Sequence, residues 1–112
     1  MTNTIVIKVV PKNKVRNQGI GDYKNNNGKL EILVAKNSGN KDEKIGVAIH
    51  ELVEAVLAQK RKISFKEIDK FDRDNIKHPD PGSKKDAPYR QEHKFANKIE
   101  AMVVKELKKK NG

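Results

Sequence analysis

The chain has 112 residues, carries a formal net charge of +10 and contains no cysteine. This length fits one small domain, residues 1–112, and the lack of thiols excludes both a disulfide framework and a thiolate metal site. No apolar stretch is long enough to span a bilayer, and the first residues lack a signal-peptide pattern, so we expect a soluble, cytoplasmic protein with no membrane partner. The oligomeric state is not indicated.

The positive charge favours nucleic acid as a candidate partner, because basic side chains release counterions from a phosphate backbone. Most of this charge is lysine, however, and only four arginines are available for forked contacts to phosphate or guanine: Arg16, Arg61, Arg73 and Arg90. The densest basic run, Lys108–Lys110, suits the negative end of a helix dipole. Nucleic-acid binding is therefore the weaker prediction.

A small antiparallel sheet is predicted over residues 1–36. Residues 4–10 are mostly β-branched and are followed by a proline, which indicates a strand. The Asn-Asn-Asn-Gly sequence at 25–28 marks a turn, so the apolar run 30–35 is predicted to be a second strand and residues 19–24 its hairpin partner.

Three helices are predicted after the sheet, at residues 41–60, 64–72 and 89–109. The second begins with a capping box of Ser64 and Glu67, and the third has apolar residues at three- and four-residue spacings. Proline, glycine and charged residues make 73–88 a long loop that could border a site. The order of elements indicates an α+β fold.

Three ionisable residues interrupt the apolar run at 45–58, namely His50, Glu51 and Glu54. At about 100° per residue they share one sector of the helix. A helix that is apolar nearly all round is normally buried, and a buried carboxylate must be paired, protonated or bound to a cation. Two interpretations follow: a metal site with nitrogen and oxygen ligands, or a partly buried helix whose polar edge meets solvent and lysines.

The segment His50-Glu51-Leu52-Val53-Glu54 resembles the active-site helix of the zincin metallopeptidases, which carries His-Glu-x-x-His after a strand. Here Glu54 stands where those enzymes have the second histidine. The resemblance implies a minimal zincin-like fold in which His50 and Glu54 hold zinc and Glu51 is the general base of a hydrolase. Carboxylate oxygen is an acceptable zinc ligand, and manganese and magnesium are the alternative metals.

The resemblance also implies a third ligand from a later helix. His93 is the predicted ligand. Glu92 is the alternative, because it lies nearer the centre of the apolar face of that helix and would otherwise support the site as a second-layer partner. His78, in the long loop, is the reserve candidate.

A peptide or protein substrate is implied by the same resemblance. An extended peptide would pair with the edge of the strand at 29–36. Tyr89 or Arg90, at the start of the third helix, would donate a hydrogen bond to the oxyanion that develops during the reaction.

Two other functions stay open. The two glutamates of Glu51-Leu52-Val53-Glu54 resemble those of the all-helical, magnesium-dependent nucleotide pyrophosphohydrolases. Alternatively, the chain is a non-enzymatic basic protein that binds nucleic acid or a virion partner. Residues 50–55 together with 87–93 also resemble a group of short bacteriophage proteins, which implies a phage or prophage origin.

Overall fold

The structure, a computed structural model, describes residues 4–111, without the side chains of residues 18 and 111. Residues 1–3 of the predicted sheet region lie outside this range. The described chain forms β1 (Thr4–Val10), β2 (Gly21–Asn26), β3 (Lys29–Ala35), α1 (Lys41–Lys60), α2 (Phe65–Asp74) and α3 (Arg90–Asn111). Short 3-10 turns occupy Lys12–Lys14, Arg16–Gln18 and Pro81–Ser83. The predicted α+β arrangement, a small sheet followed by three helices, is confirmed.

The sheet is mixed, with the strand order β1-β3-β2. β2 and β3 form an antiparallel hairpin through Asn27 and Gly28, whose φ angles of 52° and 81° suit a tight two-residue turn. β1 instead pairs with β3 in parallel, with Ile7 beside Ile32. The prediction of a purely antiparallel sheet was wrong, because residues 11–20 cross the end of β3 and carry the chain to the far edge before it turns back.

The central strand β3 is buried on both faces, which explains its continuous apolar sequence. Leu30, Ile32 and Val34 point towards the helices and form the main core. Leu33 and Ala35 point the other way and are covered by a second, smaller apolar cluster that contains Val15 and Val10. This rigid strand supports α1, the helix that carries the polar trio.

Local signals in the sequence set the ends of α1. Asn40 accepts a hydrogen bond from the Glu43 backbone at 2.9 Å, and the Glu43 side chain accepts one from the Asn40 backbone at 3.1 Å. At the other end Lys62 has a φ of 61°, and the Ile63 N–H donates to the Ala58 carbonyl at 2.9 Å. The helix therefore spans the predicted range 41–60.

Helices α1 and α3 pack closely over much of their length. A Cβ atom built on Gly46 of α1 would lie 2.5 Å from Cγ2 of Val104 on α3, so this approach needs a glycine. Ala96 of α3 is fully buried. The close packing brings side chains of the two helices into one polar pocket. Within the described range, no helix combines the length and the apolar character required to cross a bilayer.

Candidate metal centre

Side chains of α1 and α3 meet at one buried carboxylate. Glu54 Oε2 lies 3.0 Å from Nε2 of His50, one turn earlier on α1, and 2.8 Å from Nδ1 of His93 on α3. The two imidazole rings are edge to face with centroids 4.9 Å apart. The three candidate ligand atoms lie within 4.8 Å of one another. The structure thus brings together the three residues that the sequence singled out as metal ligands.

The ligand atoms are of the types that zinc binds, and their distances from Glu54 are close to those around a bound zinc ion. Zinc takes imidazole nitrogen and carboxylate oxygen at about 2.0–2.2 Å, and tetrahedral geometry then separates ligand atoms by about 3.3–3.5 Å. The contacts of 3.0 and 2.8 Å to Glu54 are slightly shorter than that. These two contacts would have to lengthen by only a few tenths of an ångström to accept the ion.

Each histidine also has a second carboxylate on its far side. Nδ1 of His50 lies 2.9 Å from Oε1 of Glu100, and Nε2 of His93 lies 2.8 Å from Oδ1 of Asp80. Both contacts are ion pairs when the imidazoles are protonated. A carboxylate behind a histidine is the usual arrangement at metal sites, where it orients the ring and raises its basicity.

Sequence reasoning missed both of these carboxylates. Glu100 lies seven positions after His93, about two helical turns, so the periodicity of α3 could have identified it. Asp80 lies in the loop before α3, where no periodic signal exists. The backbone of that loop is held close to the site by Gly82, on which a Cβ atom would lie 2.5 Å from Cγ of His93.

The charges of the cluster compensate one another. Burial disfavours the imidazolium of His50, but the carboxylates of Glu100 and Glu54 outweigh it and raise its pKa to about 10. Burial likewise opposes the charge on Glu54, whereas hydrogen bonds from His50 and His93 lower its pKa overall. A metal ion at this cluster would replace protons on the two imidazoles.

Glu51 lies beside the cluster rather than in it. Its Oε2 is 4.0 Å from Nε2 of His50. Burial and the neighbouring charge of Glu54 raise the pKa of the Glu51 carboxyl well above its usual range. Gly21 of β2 packs directly against it, since a Cβ atom there would lie 2.9 Å from Cγ of Glu51. A cation held by the ligand cluster would favour the ionised carboxylate.

Glu92 and His78, the other two ligand candidates, point elsewhere. Glu92 is buried and receives a forked hydrogen bond from Arg61, with Nε to Oε2 at 2.5 Å and Nη2 to Oε1 at 2.8 Å. His78 is exposed, and its Nδ1 accepts a hydrogen bond from the Asp80 backbone at 2.9 Å. Neither side chain belongs to the three-residue ligand cluster.

A cavity of about 560 Å³ opens onto the cluster and onto Glu51. The predicted loop contributes much of its wall, through residues 76–82. Tyr89 also lines the cavity, but its hydroxyl donates a hydrogen bond to Asp72. Arg90 is exposed and lies outside the cavity lining in the described structure. The two residues proposed from the sequence to stabilise an oxyanion are therefore placed differently, one engaged in the wall and one outside it.

The predicted pairing of a peptide with the strand at 29–36 was wrong. That strand is β3, and β1 and β2 occupy both of its edges. β2 is instead the edge strand beside α1, and its residues Gly21, Asp22 and Tyr23 line the cavity. Comparison of the chain with family models, curated proteins and solved structures gives no match.

Proposed function

We propose that this chain is a zinc-binding, zincin-like protein that acts as a metal-dependent hydrolase of peptides. His50, Glu54 and His93 are the proposed zinc ligands, and Glu51 is the proposed general base. The convergence of the three donor atoms from two helices carries the proposal. The carboxylates behind both histidines support it further.

The composition of the cluster favours zinc over magnesium. Two imidazole nitrogens and one carboxylate oxygen suit zinc, whereas magnesium prefers an octahedral shell of oxygen atoms. In the magnesium-dependent pyrophosphohydrolases the metal would be held by paired glutamates such as Glu51 and Glu54. Here Glu54 contacts two histidines instead, so the zinc interpretation accounts for more of the site.

Bound zinc would lower the pKa of a coordinated water and polarise the carbonyl group of a substrate. Glu51 would accept the proton of that water and pass it to the leaving amine. The Glu51 side chain is only 14% exposed, and Gly21 leaves room for it. An extended peptide would add to the β2 edge, along Gly21–Tyr23.

The metal content of the purified protein tests the proposal. Protein prepared without added metal should contain about one equivalent of zinc by elemental analysis, and Glu54→Ala and His93→Ala should lose it. His78→Ala is the matched control and should retain it, because this histidine lies at the cavity rim without joining the ligand cluster. Wild-type protein without zinc, and unable to take it up on dialysis, would contradict the proposal.

The role of Glu51 is tested separately from the ligands. Glu51→Gln should retain zinc and lose cleavage of a mixed peptide library measured by mass spectrometry, because the amide cannot accept the proton. Removal of a general base typically lowers the reaction rate by about 10²-fold to 10⁴-fold. Loss of zinc in this variant would instead make Glu51 a ligand.

A further inference from the structure

Tyr23 is held rigidly in the wall of the cavity. It lies on β2 beside Ile32 of β3 and is only 6% exposed. Its ring packs edge-on against Phe65 with centroids 6.2 Å apart. Its backbone N–H donates to Oδ1 of Asp22 at 2.8 Å. These contacts fix the ring and therefore the position of the hydroxyl oxygen.

The hydroxyl of Tyr23 has no hydrogen-bond partner among the described residues. A buried hydroxyl without a partner destabilises the folded state, and such groups are rare in native proteins. Phenylalanine would fill the same space without this cost. Tyr23 lines the same cavity as His50, Glu51 and Glu54.

The hydroxyl groups of Tyr89 and Ser38 differ from that of Tyr23. Tyr89 lines the same cavity, but its hydroxyl donates to Asp72. Ser38 also has a buried hydroxyl without a partner among the described residues, but it lies outside the cavity lining. Tyr23 is therefore the cavity-lining tyrosine whose hydroxyl has no partner among the described residues.

We propose that Tyr23 donates a hydrogen bond to an oxygen atom of the ligand bound at the metal centre. The site would then select ligands with an oxygen acceptor beside the atom that faces the metal, such as a carbonyl, carboxylate or hydroxamate group. During hydrolysis the same hydroxyl would stabilise the oxygen that gains negative charge. The inference rests on the proposed metal centre and assigns to β2 the role that sequence reasoning gave to Tyr89 or Arg90.

The test uses the cobalt-loaded protein, whose visible absorption reports a ligand bound to the metal. Acetohydroxamate has oxygen acceptors, whereas imidazole binds a metal through nitrogen and offers none. Tyr23→Phe should weaken acetohydroxamate binding by about 10-fold, the effect of one lost hydrogen bond, and leave imidazole binding unchanged. Ser38→Ala, which removes the other buried hydroxyl without a partner among the described residues, should change neither.

The outcomes separate this inference from the proposed function. Failure of the wild-type protein to bind cobalt or zinc would overturn the metal centre. Cobalt binding with equal acetohydroxamate affinity in wild type and Tyr23→Phe would overturn the role of Tyr23 alone. The metal-free Tyr23→Phe variant should unfold at the same or a higher urea concentration than wild type. A lower urea midpoint would mean that the hydroxyl has a partner within the chain, which also overturns the inference.

Discussion

Glu92 and His93 are adjacent in sequence, but their side chains contact different partners. His93 points to Glu54, whereas Glu92 points to Arg61 just beyond the end of α1. The helical position of Glu92 near the centre of the apolar face reflects this contact with α1. Burial opposes the charge of Glu92, but the hydrogen bonds from Arg61 are the larger effect and lower its pKa. Glu92 therefore links α3 to the residue that follows the end of α1.

Glu92→Gln should leave zinc affinity unchanged and lower the stability of the fold. The amide removes the charge that Arg61 contacts, and because Arg61 is half exposed, the loss should be only about 1 kcal/mol. Urea unfolding measures the stability, and competition with a chromophoric chelator measures the zinc affinity. Loss of zinc from Glu92→Gln would instead support Glu92 as the third ligand.

Asp72, which is not a proposed ligand, gives the site a pH-dependent stability. Burial is the main effect that raises the pKa of Asp72, to about 6. The hydrogen bond from Tyr89 lowers this pKa, and the negative charge of Glu54 raises it. Because the pKa is higher in the folded state, the contribution of Asp72 is fully present below its unfolded pKa of about 3.8 and is lost as the pH rises through 6.

Asp72→Asn should therefore gain stability relative to wild type as the pH rises from 4 to 7. The asparagine keeps an oxygen acceptor for Tyr89 but does not ionise, so the difference should grow by about 1–3 kcal/mol over this interval. Urea unfolding at several pH values, with a chelator present throughout, measures it. A difference that stays constant with pH would contradict the assignment to Asp72.

The residues that sequence reasoning could identify were those with periodic neighbours. His50, Glu51 and Glu54 were visible because they interrupt an apolar helix. His93 followed from the resemblance to the zincins, whereas the spacing of α3 favoured Glu92. Tyr23 carried no such signal, because its importance depends on β2 lying beside α1. Which strand lies there is decided by tertiary packing that the local sequence does not encode.

At the scale of elements, helix ends and the hairpin were predictable and strand direction was not. Capping boxes at Asn40 and Ser64 and the Asn27-Gly28 turn are local, so their signals lie within a few residues. The pairing of β1 is not local. Its β-branched residues predicted a strand, yet the same residues fit either direction beside β3.

The loop between α2 and α3 positions His93 through two close contacts. Gly82 packs against the imidazole ring, and Asp80 contacts its Nε2. The backbone at Gly82 does not adopt the left-handed conformation that requires glycine elsewhere in the chain. The glycine is needed here for space alone, so its replacement tests the contact without adding backbone strain.

Gly82→Ala should weaken zinc binding although it removes no ligand. The new methyl group would displace the His93 ring, and loss of support behind a ligand typically costs about 10-fold to 100-fold in metal affinity. Lys85→Ala, at an exposed position of the same loop outside the cavity lining, is the matched control. Equal zinc affinity in Gly82→Ala and wild type, measured by chelator competition, would show that the ring tolerates the methyl group.

At the scale of the whole molecule, carboxyl groups gather at one cavity although the chain is basic. The protein carries a net charge of +10, yet six carboxyl groups line the cavity: Asp22, Glu51, Glu54, Asp72, Asp80 and Glu100. Without a metal, they are balanced by Arg16, Lys77 and the imidazoles of His50 and His93, whose pKa values are raised. A metal ion that displaced the protons of the two imidazoles would leave these carboxyl groups to stabilise its charge.

A metal at this position would join parts of the chain that are distant in sequence. His50 and Glu54 belong to α1, which packs on the sheet, whereas His93 belongs to α3. The unfolded chain would not hold these three residues together, so a metal that binds them binds the folded state preferentially. Binding then adds directly to the free energy of unfolding.

Saturating zinc should therefore raise the stability of the wild-type protein. At a free zinc concentration about 100-fold above the dissociation constant, the gain should be about 2.7 kcal/mol. His93→Ala should lose most of this gain, because it removes the ligand that links α3 to α1, whereas His78→Ala should keep it. Urea unfolding of each protein with zinc and with chelator measures the difference. An equal gain in wild type and His93→Ala would mean that zinc stabilises the protein from some other position, and the two-helix centre would then have to be abandoned.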